Sequence, residues 1–147
     1  MGNFEDLKVW QRAKELAVFV YKITEKGPFV KDYGLRDQIR RAAVSIPSNI
    51  AEGDELDTDR QAIKFFYIAK GSSAELFTQV IIAYEIDYLP EQHFEHMKNE
   101  CQAISRMLTL TLHKSLAQKR YARSISGHQK TFVHFQDLTV CSIRFHP

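Results

Sequence analysis

From Phe94 onward, apolar and small residues return in alternating steps of three and four: Phe94, Met97, Cys101, Ile104, Leu108, Thr111 and Ser115. That alternation draws one seam along a helix and sets it against a neighbour at about +20°, the crossing of left-handed bundles. The spacing predicts a helix from about Glu91 to Gln118. Three more follow from the same periodicity. The first begins near Phe4 and ends before the breaker pair Gly27-Pro28. Its apolar residues, among them Leu7, Trp10, Ala13, Leu16, Phe19, Val20 and Tyr21, leave only Lys8, Gln11, Arg12, Glu15 and Lys22 as a narrow polar strip. An arc wider than the ~100° that one covered face requires implies two neighbours or a second subunit.

The second helix runs from Tyr33 or Leu35 to Glu52, with Gly53 as its stop and a kink at Pro47, where Ser45, Ser48 and Asn49 are placed to satisfy freed backbone groups. Asp37 and Arg41 stand four apart in the favourable order for an ion pair. The third helix starts at Asp57 or Thr58 and stops around Asp87, before Leu89-Pro90. Its small-residue run Gly71-Ser72-Ser73-Ala74 is expected to admit a neighbouring helix closely, and Ile68, Ile82 and Ile86 fall off its main apolar face, where an oligomer surface would use them. The resulting fold class is all-α, an antiparallel up-down four-helix bundle over residues 4–118. Residues 119–147 are expected to form an irregular basic tail.

Composition agrees with one globular domain: 147 residues, 44% hydrophobic and 26% charged. The net charge of +2 is unevenly spread, at +2 for residues 1–53, −6 for 54–100 and +6 for 101–147. Cys101 and Cys141 suggest free thiols in a reducing compartment. No apolar run approaches the ~20 residues that cross a bilayer, and the N-terminus lacks the features of a signal peptide. The expected address is the cytoplasm, with no membrane partner.

Catalytic patterns are absent from the sequence. No Glu-x-x-His falls on a proposed helix, which removes a di-iron bundle. His93 and His96 are three apart, too few for a metal site and better read as a solvated helix end. There is neither a glycine-rich phosphate loop nor a Gly-x-Ser-x-Gly elbow. Cys101 on the seam reads as a small core residue. The chain is expected to be no enzyme and to hold no cofactor or metal.

Basic residues remain. Lys8 and Arg12 lie one turn apart on the first helix, Arg36 and Arg40 one turn apart on the second, and Arg41 projects from the opposite edge of that helix. Together they form a candidate phosphate-contacting surface for RNA or DNA, joined by the basic tail. The alternative is that these arginines cover the core with their methylene stems, pair with acids such as Glu52 or Glu75, and serve an oligomeric scaffold whose partner is another protein. Asn49 and Glu52 are assigned to local structure, and Trp10 to packing.

Four segments, Phe4–Ala13, Gly34–Ala43, Ser45–Gly53 (Ser-Ile-Pro-Ser-Asn-Ile-Ala-Glu-Gly) and Phe65–Leu76, taken in order, resemble the bacterial four-helix-bundle proteins encoded in intervening sequences of large-subunit rRNA genes. The resemblance covers roughly residues 4–118. It implies a bundle that assembles into a ring, a homopentamer, without known catalytic residues. That family is similar in fold to an accessory protein of diversity-generating retroelements, whose basic ring is thought to engage nucleic acid and a reverse transcriptase.

Overall fold

Breakers and caps set the links between helices. The computed structural model describes residues 3–56 and 59–136, the side chains at positions 59, 114, 115 and 118–136 excepted. A 3-10 turn at Phe4–Asp6 leads into α1 (Lys8–Thr24), and a second at Gly27–Val30 carries the chain to α2 (Tyr33–Glu55). Gly27 takes φ +66°, a left-handed value that glycine adopts without strain. The Asp32 carboxylate accepts the Leu35 N–H at 3.0 Å and caps α2. Next come α3 (Asp59–Glu85) and α4 (Glu91–Gln136). The expected caps of α3, Asp57 and Thr58, lie outside the described residues.

Contacts between helices fix their directions. Between α1 and α4, Arg12 meets Glu100 while Phe19 meets His96, so numbers rise on one helix as they fall on the other. The Ser45 and Ser72 hydroxyls are 2.8 Å apart between α2 and α3, and Gly53 lies against Phe66 farther along. Tyr84 stacks on Phe94 at 4.3 Å, and the Ser73 hydroxyl donates to the Cys101 carbonyl at 3.2 Å, between α3 and α4. Each of these pairs is antiparallel, as an up-down bundle requires. The bundle buries Leu16 and Val20 of α1, Ile39, Ile46 and Ile50 of α2, Leu76 and Val80 of α3, and Met97, Ile104 and Leu108 of α4. It forms one compact unit that ends at Leu112, and α4 from His113 onward belongs to a second unit.

Several details differ from the sequence-based expectations. Gly53 does not stop α2; it is buried inside the helix, where it allows α3 to approach. Within the run of small residues, Ser72 and Ser73 are buried against neighbouring helices, whereas a side chain at Gly71 would meet nothing within 4 Å. Pro47 lies inside α2; the Ser48 hydroxyl and the Asn49 amide donate to the carbonyls of Val44 and Ser45. On α4 the seam passes from Leu108 to buried Leu112 rather than to Thr111, which is only partly covered.

The largest correction concerns the tail. Residues 119–136 are not irregular: α4 continues through them to Gln136. The apolar seam ends before this stretch, but helix propensity does not. No proline and one glycine, Gly127, interrupt this stretch, and Lys, Arg, Ala and Gln favour the helix. The remaining part of the expected tail, 137–147, lies outside the described residues.

Candidate functional site

The five basic residues picked out by the sequence do not form one free surface. Arg12, on the polar strip of α1, makes a two-pronged contact with Glu100 of α4, from Nε at 3.0 Å and from Nη2 at 2.7 Å. Arg40 is committed in a different way. Its Nε donates to the Thr24 hydroxyl at 2.8 Å, its Nη2 reaches the Tyr21 carbonyl at 3.5 Å, and its guanidinium lies 4.7 Å over the Tyr21 ring. A cation held at the last turn of α1 meets both the unpaired carbonyl end and the negative end of the helix dipole. Thr24 is fully buried, and its hydroxyl donates a hydrogen bond to the Val20 carbonyl at 2.8 Å.

Arg36 lies 4.6 Å over the Tyr33 ring and donates to Asp37 at 3.3 Å. Asp37 therefore pairs with Arg36 and not with Arg41, as the helix spacing had suggested. Arg41 and Lys8 are exposed. The acids proposed as arginine partners, Glu52 and Glu75, are replaced by Glu100 and Asp37. Sequence reasoning missed the tyrosine platforms. Tyr33 and Arg36 stand three apart, a signal visible in the sequence, but the Tyr21–Arg40 contact joins two helices and leaves no local trace.

Two open clefts collect what remains. One, of about 530 Å³ between α1 and α2, is lined by Tyr21, Asp37, Arg40, Arg41, Val44 and Ser45. Another, of about 600 Å³ between α1 and α4, holds Arg12, Lys14, Lys22, His96 and Glu100 among its walls. The structure thus separates Arg12 from the Arg40–Arg41 pair by placing them in different clefts. Neither cleft contains a nucleophile next to a base. His93 and His96 both pack edge-on against Phe19, and no group of three metal-ligating side chains occurs among the described residues. Loss of water around Cys101 pushes its thiol up to about 12, so it stays protonated at neutral pH. Among the described residues no helix is long and apolar enough to cross a membrane.

Comparison with known proteins agrees with this bundle. No curated protein matches the chain. Among solved structures, a protein of unknown function from the S23 ribosomal protein family of Bacteroides thetaiotaomicron superposes with a TM-score of 0.65 at 22% identity, covering 71% of this chain and 97% of that one. At that identity the likeness speaks for the fold alone. The family described as 23S rRNA-intervening sequence protein matches residues 5–110, from the turn before α1 to α4 just short of buried Leu112. With that match spanning all four helices of the bundle, the chain belongs to the 23S rRNA-intervening sequence protein family.

Proposed function

We propose that the chain acts without catalysis, as a self-associating four-helix scaffold whose arginines on α1 and α2 serve its own structure. The observation that carries this reading is the outward face of α3. Ile68 and Ile82 are 40% and 45% exposed there, and Ile86, in the turn that follows α3 and hydrogen-bonded back to the Ile82 carbonyl, is 45% exposed. They share one side of the helix, within an arc of roughly 40° at 3.6 residues per turn. Ile82 and Ile86 adjoin one turn apart, and Ile68 lies on the same side beyond Glu75. Large apolar side chains exposed on one side favour burial against another surface, and a second copy of the bundle supplies one. The engagement of Arg12, Arg36 and Arg40 by Glu100, Asp37 and Thr24 further supports a structural role for those arginines.

Sedimentation velocity at micromolar concentration tests the reading. The wild-type chain sediments as an oligomer, and Ile68→Lys with Ile82→Lys yields a monomer with unchanged helical circular dichroism. A wild-type chain that is monomeric throughout would sink it. A second reading, in which the bundle itself contacts nucleic acid, is favoured by one observation: Arg40 and Arg41 line the same open cleft beside Tyr21. It draws on Lys8 and Arg41, which are exposed, more than on the three committed arginines.

A further inference from the structure

The helical continuation of α4 lies beyond the segment that the family covers, 5–110, and forms a unit distinct from the bundle. Between His113 and Gln136 it carries Lys114, Lys119, Arg120, Arg123 and Lys130, with no Asp or Glu. Helical register sorts these residues. At 3.6 residues per turn, Lys119, Arg120, Arg123 and Lys130 fall within one arc of roughly 100°, and His134 falls inside it. Tyr121, Ile125, Phe132 and Phe135 occupy the opposite side. The basic positions run for about 16 Å along the axis at 1.5 Å per residue.

We propose that this continuation of α4 is a nucleic-acid-binding helix, seating the arc of Lys119, Arg120, Arg123 and Lys130 along a phosphate backbone. Four cations on one arc with no acid among them match a line of phosphates, which a helix meets when it lies in or across a groove. The other partner for a basic amphipathic helix is an anionic membrane surface. The apolar side argues against that, because Lys114 and His128 fall among its aromatic residues and interrupt the face that would enter the acyl region. The inference does not depend on self-association, since it rests on the register of a single chain.

The experiment measures binding of the full chain to a structured RNA hairpin and to a DNA duplex of equal length, from 50 to 200 mM salt. Four neutralised phosphates predict a slope of log affinity against log salt of about −3 to −4. Replacing all four residues by Gln should flatten that slope and lower affinity at least tenfold at the lowest salt. A second variant keeps net charge and composition: Gln118→Lys with Lys119→Gln, and Gln129→Lys with Lys130→Gln. It moves two cations off the arc, and the slope should fall by about half. The comparator Lys8→Gln with Arg41→Gln should bind as wild type. The inference is overturned if the charge-preserving variant binds as wild type, if binding is lost only in the comparator, or if the chain binds anionic lipid vesicles but neither nucleic acid.

Discussion

At Cys101, 2% exposed on α4, removal of water from the thiolate raises the thiol from its ordinary 9.0 to about 12, against a smaller downward pull from the Ser73 hydroxyl. The sign of the linkage follows. The folded chain holds this proton more tightly than the unfolded one, so the contribution is complete below pH 9 and is lost as pH rises toward about 12. Other groups titrate in that window, so the comparison is with Cys101→Ala in a Cys141→Ser background. At pH 8 the cysteine chain should be more stable than the alanine variant, which leaves a small cavity costing roughly 1 kcal/mol. By pH 11 that advantage should have shrunk or reversed. Urea unfolding at the two pH values reads it directly, and an advantage that stays constant would mean the thiol is not shielded from water as its burial implies.

Two glycines inside helices make opposite demands on the elements that contain them. On α2, a methyl group at Gly53 would lie 3.0 Å from Cε1 of Phe66 and 3.2 Å from Cβ of Phe65, an atom fixed to the backbone of α3. Overpacking of that kind costs roughly 1–3 kcal/mol, and against an atom that cannot swing away the cost outweighs the ~1 kcal/mol that Ala gains over Gly in a helix. On α3, a methyl at Gly71 meets nothing within 4 Å, so only the propensity gain remains. Gly53→Ala should therefore lower the urea midpoint and Gly71→Ala should raise it; shifts of the same sign would contradict the close approach of α2 to α3. This pair also shows what was legible in the sequence. Gly27-Pro28 and Leu89-Pro90 marked two helix boundaries because a breaker acts locally. Gly53 was mistaken for a stop because its reason for being glycine lies on another helix. The end of α4 was misplaced for a related reason: the seam marks where the helix packs in the bundle, whereas the length of the helix also follows from residue propensity, which carries it on to Gln136. The arginines were found by their periodicity, but Glu100 and Thr24 as partners depend on which helices adjoin and in what register.

The bundle as a whole is closed between its first and fourth helices, and Arg12–Glu100 is the polar part of that closure, joining residues 88 apart in sequence. Both side chains are partly exposed, at 44% and 21%, so water screens much of the attraction. The two-pronged geometry raises the pair toward the upper end of the range for surface ion pairs, and a double-mutant cycle with Arg12→Ala and Glu100→Ala should give a coupling of about 0.5–1 kcal/mol at low salt. The coupling should diminish toward 1 M salt, where the screening length falls to about 3 Å. Exchange of the two charges, Arg12→Glu with Glu100→Arg, should recover most of the stability lost in either single reversal. The same cycle bears on what Arg12 is free to do. An arginine coupled to Glu100 leaves that pair only by giving up its carboxylate, so a phosphate must compete with Glu100 before it can take Arg12. Removing the competitor by Glu100→Gln should therefore leave nucleic-acid binding unchanged if the continuation of α4 carries it. A gain in affinity from Glu100→Gln would instead place Arg12, and the cleft between α1 and α4, on the binding surface.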